Sequence, residues 1–221
     1  PLRTAIRGAI AIAELLETEY SFEVTLIKNG TRQDILESLG HFRSILGADD
    51  NFLIYYAGHG REDEVTEEGF WQPIGSNNTD HWNWIQNSTI TTQLKGFKAK
   101  HVLIVADSCY SGSIFRGSEI NSREEMGYEW IEKVAKAKSR KALTSGALEP
   151  VWDGGGEGHS VFTKYFLQIL EENKGIMTGE DVHNGLKPLV TNNSDQIPQY
   201  ALLIKAGDEG GDFVFVKSLA H

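Results

Sequence analysis

Two short apolar runs, each broken abruptly by small and polar residues, constrain the fold of this chain more than any other feature. The first is Asn51-Phe52-Leu53-Ile54-Tyr55-Tyr56-Ala57, which breaks into Gly58-His59-Gly60. The second is His101-Val102-Leu103-Ile104-Val105-Ala106, which breaks into Asp107-Ser108-Cys109-Tyr110-Ser111-Gly112. Runs of this length without polar alternation read as strands buried on both faces, as in a parallel sheet covered by helices. Residues just past the carboxyl ends of such strands emerge at the sheet edge where open α/β folds build their sites. His59 and Cys109 both hold that position, and Cys109 is the only cysteine in 221 residues. Taken singly, a lone cysteine is more often a small buried hydrophobe, and a lone histidine a satisfied group at a core margin. Together, past two strand ends and among small residues, they suggest a thiol and the imidazole base that would activate it.

The rest of the chain supplies the alternation that a parallel sheet needs. Residues 4–19 repeat Ala5, Ile6, Ala9, Ile10, Ile12, Ala13 and Leu16 at helical spacing. Phe22 to Ile27 reads as a strand, Asn29-Gly30 as a turn, and Thr31 as the cap of a helix reaching about Leu46. Arg61 to Asn87 is polar, carries Trp71, Trp82 and Trp84, and suggests a short β-hairpin and a loop. A helix near 89–97 leads into the second apolar strand. Beyond Gly112 a helix is expected at about 123–137, a strand at Arg140 to Ser145, and a loop at Gly154 to Gly158. Helices follow over Ser160 to Glu172 and from Thr178, with Glu180 and Asp181 in the favourable first turn. Strands at Gln199 to Ile204 and Phe213 to Val216 close the chain. Strand, helix, strand, helix, strand implies a mostly parallel α/β sheet with helices on both faces.

Bulk properties narrow the function. Composition is 40% hydrophobic and 24% charged, that of an ordinary globular domain. The length suits a single domain. The formal net charge of -10 argues against a nucleic-acid partner. No apolar run approaches the length of a membrane span, so no membrane partner is expected. One cysteine rules out an internal disulfide and agrees with a reducing, cytoplasmic compartment. The opening Pro1-Leu2-Arg3 resembles neither a signal peptide nor an initiation site, so the chain reads as a fragment of something longer. Acidic residues gather in Glu62-Asp63-Glu64 with Glu67-Glu68, and in Asp208-Glu209 with Asp212. These are solvated loops in the ordinary case, or a means of drawing in basic substrates.

Tyr55-Tyr56-Ala57-Gly58-His59-Gly60 followed by Asp107-Ser108-Cys109-Tyr110-Ser111-Gly112 resembles the caspase-like cysteine peptidases, most of all their bacterial metacaspase or orthocaspase members. In caspases the histidine precedes the cysteine by about 50 residues. Ser145-Gly146-Ala147 and His159-Ser160-Val161-Phe162-Thr163 extend the resemblance over most of the chain. It implies a three-layer α-β-α sandwich: a large-subunit-like part at 1–112, a linker region at 113–138 and a small-subunit-like part at 139–221. It also implies peptide-bond hydrolysis of a protein or peptide substrate, with Cys109 as nucleophile, His59 as base, and the amide of Gly60 beside the oxyanion. Asp107 would line the pocket for the residue before the scissile bond and favour Arg or Lys. Ala57 stands where relatives carry serine, and Gly8, preceded by Arg7, where they carry a second pocket aspartate. Ser145, Glu149 and Trp152 would lie along the bound substrate. No cofactor is required, although calcium is possible by analogy with calcium-dependent metacaspases. Further domains or a regulatory partner are expected. Relatives also place a strand ahead of the segment matching Leu2 to Ala9, in the middle of the sheet; here either it was cut away or another segment fills its position. The polar stretch Ser113 to Glu125, with Arg116 and Arg123, is a candidate for self-cleavage.

Two other classes compete. One is a catalytically silent, or partner-activated, interaction module of the same fold. The other is a metal-binding domain built on His59, His81, His101 and Cys109, although no closely spaced ligand pair such as CxxC or HxxxH occurs.

Overall fold

A helix over Arg3–Tyr20 (α1) opens the computed structural model, which describes residues 3–63, 65–77, 81–108, 114, 128–146 and 158–218. Its apolar stripe is buried at Ile12, Leu15 and Leu16. Helix α2 (Arg32–Ile45) starts at Thr31 through a capping box: Thr31 Oγ1 accepts from the Asp34 amide, and the Asp34 carboxylate accepts from the Thr31 amide at 2.8 Å. The apolar run Asn51–Ala57 is β1. A small antiparallel sheet of β2 (His59–Glu62), β3 (Gly69–Gln72) and β4 (Ile85–Gln86) follows, with a 3₁₀ turn at His81–Asn83. Next come α3 (Asn87–Lys95), β5 (His101–Asp107), α4 (Tyr128–Lys136) and β6 (Ser139–Thr144). The chain ends with α5 (Val161–Glu172), β7 (Ile176–Thr178), α6 (Gly179–Asn193), β8 (Gln199–Leu202) and β9 (Val214–Val216).

The central sheet has the order β1-β5-β6-β8, parallel in its first three strands and antiparallel at β8. β1 and β5 run in register from Asn51 opposite His101 to Ala57 opposite Asp107. One face packs on α1, α5 and α6 through Leu16, Phe162, Phe166 and Leu186, together with Leu103, Val105 and Leu143 of the sheet. The other packs on α2 and α3 through Leu39, Ile90 and Leu94, with Val102, Ile104 and Ala142. The expected sandwich is therefore present, and all seven residues of β5 are buried.

A charge sits inside this core. Arg140 is 1% exposed, and its Nη1 donates to the carbonyls of Lys100 and Ser139 at 3.0 and 2.7 Å. Nη2 donates to Phe97 and Ala99 at 3.0 and 2.8 Å. The guanidinium thus ties the loop entering β5 to the start of β6, and Asp208 supplies the opposing charge while accepting from the Arg140 amide. Removing it strands carbonyls that water cannot reach.

Several sequence expectations need correction. Phe22–Ile27 forms no strand and joins no ladder among the described residues. A strand gains its hydrogen bonds only from a neighbour. The hairpin near Trp71 carries a third strand, β4. The closing strands are present over Gln199–Leu202 and Val214–Val216, and β9 pairs with β7, a strand of three residues that the sequence did not show. The helix expected from about 123 is described from Tyr128 onward.

Asp212 holds the corner between β9 and α6. It accepts from the amides of Glu180 and Phe213 at 3.1 and 2.8 Å and from the Tyr200 hydroxyl. Burial pushes its pKa from 3.8 up to about 6, against the pull of those donors and of Lys141.

Two predictions follow from these buried charges. Arg140→Met is expected to lower the unfolding free energy by about 3–5 kcal/mol, read from denaturant midpoints. The folded chain binds more protons at Asp212 than the unfolded chain between pH 3.8 and about 6. Its contribution to stability is therefore greatest below that window and falls as pH rises through it. The stability of the wild type relative to Asp212→Asn should decline from pH 4 to pH 6 and be flat at higher pH.

Candidate active site

The register of β1 and β5 brings two loops to one sheet edge. Ala57 lies opposite Asp107, and the Gly58 amide donates to the Asp107 carbonyl at 3.4 Å. Two residues beyond each of these strand ends stand His59 and Cys109. His59 is solvent-exposed and begins β2, opposite Gln72, while Gly60 lies opposite Trp71. Cys109, Glu149 and Trp152, and the stretch with Arg116 and Arg123, lie outside the described residues.

The histidine is held from behind by an aromatic pair. Tyr56 stacks on Trp71 with ring centroids 4.1 Å apart and 6° between planes, and its hydroxyl donates to the His59 carbonyl at 2.8 Å. A Cβ at Gly58 would stand 2.7 Å from that hydroxyl oxygen. Glycine at 58 serves close packing and not a left-handed turn.

Asp107 is 4% exposed and anchored by the amino end of α5. Thr163 Oγ1 donates to Asp107 Oδ2 at 2.7 Å, and Ser160 Oγ donates to the same oxygen. Ser160 is also the N-cap, accepting from the Thr163 amide at 3.0 Å. Thr163 has one hydroxyl proton, already given to Asp107, so Tyr55, 2.5 Å from Thr163 Oγ1, must donate to it. Burial, together with the negative charge of Asp107, holds the Tyr55 phenol well above its ordinary pKa. The Tyr55 phenol therefore stays protonated at neutral pH and donates to Thr163, which donates to the Asp107 carboxylate.

The remaining positions are structural neighbours of this anchor. Ser145 is fully buried; its Oγ donates to the Ser108 carbonyl at 3.2 Å and its amide to the Ala106 carbonyl at 3.0 Å. Its side chain thus braces the backbone just before Cys109. Gly146 has φ +72°, and a Cβ there would lie 1.7 Å from the Ile197 carbonyl oxygen, so no other residue fits. A Cβ at Gly8 would be 3.0 Å from Thr163 Cγ2, so α1 packs where a carboxylate would need room. The side chain of Arg7 lies beside Gly158, where an added Cβ would come within 2.8 Å of its Nη1.

His101 cannot join His59 in a metal site. His101 begins β5 and His59 follows the far end of its in-register neighbour, so about 20 Å of strand separates them. The His101 ring is spent on Ser139 Oγ and the Ala135 carbonyl, at 2.9 and 3.0 Å, and burial lowers its pKa. Among the described residues no group of three or more His, Cys, Asp or Glu side chains converges as a metal site would. None of the described helices is long and apolar enough to cross a membrane.

Sequence reading singled out Asp107 but missed the residues that hold it. Tyr55 looked like strand filling, and Ser160 and Thr163 like the start of a helix. The signals were the cap itself, a serine three residues before a threonine at the head of an apolar helix, and the family resemblance of His159 to Thr163.

The chain matches the caspase domain of the C14 peptidases over residues 1–205. Among solved structures it is similar to caspase-1 from Spodoptera frugiperda, with a TM-score of 0.64 and 14% identity over 99% of this chain and 84% of that one. It is also similar to the protein GSU0716 from Geobacter sulfurreducens, with a TM-score of 0.58 and 19% identity over 90% and 83% of the two chains. No curated protein matches.

Thr163→Val keeps the methyl packed near Gly8 but removes the hydroxyl between Tyr55 and Asp107. It should lower stability by about 1–3 kcal/mol, read by chemical denaturation. Tyr55→Phe, which leaves the bond to Asp107 intact, should lower it less.

Proposed function

The chain belongs to the caspase-domain family of cysteine peptidases, and on that footing we propose that it is an endopeptidase with a Cys109–His59 dyad that cuts after Arg or Lys. The observation that supports the reading is the register of Ala57 against Asp107, which brings the ends of the two strands that precede His59 and Cys109 in sequence to one sheet edge. In the reaction His59 takes the thiol proton of Cys109, and the thiolate attacks the substrate carbonyl carbon. The oxyanion is held by the backbone amides of Gly60 and Cys109. Collapse of the tetrahedral intermediate breaks the peptide bond, and the imidazolium gives its proton to the leaving amine. Water then attacks the thioester, with His59 again as base, and frees Cys109.

Asp107 sets the specificity. Its carboxylate is aimed by two α5 hydroxyls, and a negative charge there attracts a guanidinium or ammonium and repels an acidic side chain. Ala57 flanks it at the end of β1, and the family resemblance assigns Ser145, Glu149 and Trp152 to the neighbourhood of the substrate strand.

Matched fluorogenic peptides ending in Arg, Lys or Asp, assayed with and without calcium, test the proposal. Cleavage after Arg and Lys is expected, with losses of about 10³-fold or more in Cys109→Ala and His59→Ala. Cleavage after Asp would overturn the role given to Asp107. Absence of cleavage, together with a Cys109 no more reactive to iodoacetamide than in the denatured chain, would favour a silent interaction module.

A further inference from the structure

The two oxygens of the Asp107 carboxylate have different work. Oδ2 accepts two hydrogen bonds, one from Ser160 Oγ and one from Thr163 Oγ1 at 2.7 Å. An ionised carboxylate has about four lone-pair sites, about two on each oxygen, so Oδ2 is saturated. Neither donor is easily turned away. Ser160 and Thr163 are both buried, and a hydroxyl rotated off Oδ2 would find no water. Thr163 Oγ1 also accepts from the Tyr55 hydroxyl at 2.5 Å, which commits its single proton to Asp107. Ser160 is fixed by its second role as the cap of α5, accepting from the Thr163 amide at 3.0 Å.

Position 8 of α1 adds no second carboxylate. It is glycine, and a Cβ there would already stand 3.0 Å from Thr163 Cγ2. One threonine therefore does two things: its hydroxyl fills Oδ2, and its methyl group fills the space beside α1. What Asp107 has left to offer a cation is contact through Oδ1.

Arginine and lysine use a carboxylate differently. A guanidinium gains its advantage from two parallel N–H···O bonds, one to each oxygen. An ammonium is a compact point charge that needs only one oxygen. With Oδ2 filled, the guanidinium fork cannot close on both oxygens, and either side chain meets Oδ1 alone. Resting on the reading that Asp107 lines the pocket for the residue before the scissile bond, we propose that Thr163 and Ser160 are specificity-determining residues. By filling Oδ2 they hold the pocket to one-point recognition, so that Arg and Lys are accepted nearly alike. The pocket still selects a positive charge and rejects a negative one. It gives up the preference for a fork.

The test is calorimetric binding to the Cys109→Ala chain of matched peptide amides that differ only in ending with Arg, Lys or norleucine. The Arg and Lys peptides should bind within about fivefold of each other, and both more tightly than the norleucine peptide. Freeing a lone pair on Oδ2 restores the fork. The Arg-over-Lys ratio should therefore rise about tenfold, as one more charge-assisted hydrogen bond gives, in Thr163→Val or in Ser160→Ala, whichever opens the lone pair facing the peptide. Thr163→Ser, which keeps the hydroxyl, should keep the original ratio. A purely structural role would weaken the Arg and Lys peptides equally and leave the ratio unchanged in both variants, which would overturn the proposal. So would a larger Arg preference in the Cys109→Ala chain alone, a result that needs no further variant to fold. Arg and Lys peptides that bind no better than norleucine would overturn it as well. No peptide is cut in this measurement, so equal binding of Arg and Lys by a chain that hydrolyses neither would sustain the pocket and sink only the peptidase reading.

Discussion

The parallel ladder between β1 and β5 is the constraint on which the site depends. Seven residues pair without a slip, so the strand ends coincide at Ala57 and Asp107. A slip of one residue would turn every side chain to the other face and part the two loops. The register is secured from both sides. Phe52, Ile54 and Tyr56 enter the layer under α2 and α3, while Leu53 and Tyr55 enter the layer under α1 and α5. Apolar burial specifies the pairing, and the pairing brings the chemistry together.

A second device fixes what lies just past those ends. The amino end of α5 offers three things at once to Asp107: the Ser160 hydroxyl, the Thr163 hydroxyl, and the positive pole of the helix. Ser160 also caps the helix, so the carboxylate and the first turn of α5 hold each other in place. Ser145 reaches from the end of β6 to the Ser108 carbonyl, bracing the same loop from the opposite side. The backbone before Cys109 is thereby tied to two further elements, which limits how far it can wander. Such outer support is what keeps reacting groups in productive geometry.

The sheet is built to different standards on its two sides. β5 is buried along its whole length, and β6 likewise, whereas β1 is only partly covered. Its outer edge faces a cavity roofed by two apolar helices. Helices α1 and α2 are nonetheless well formed, because α1 is anchored through Leu15 and Leu16 and α2 carries its own capping box.

What the sequence alone determined is what depends on local pattern. The apolar runs gave β1, β5 and β6, the helical spacing gave α1 and α5, and Thr31 marked the start of α2. The strand-end loops singled out His59 and Cys109 without any knowledge of contacts. The tertiary structure decided whatever requires a partner distant in sequence. Phe22–Ile27 has strand composition but no ladder, since a ladder is a property of two edges. β9 joined β7 instead of the central sheet for the same reason. Asp107 was legible as a charge two residues before Cys109, but its donors lie 53 and 56 residues away and look like ordinary helix residues. Gly58 and Gly8 were legible as glycines, yet the Tyr56 hydroxyl and Thr163 methyl that exclude a side chain there appear only once the chain has folded. Hydrophobic periodicity is written residue by residue, whereas hydrogen-bond partners and steric limits are set by which surfaces meet.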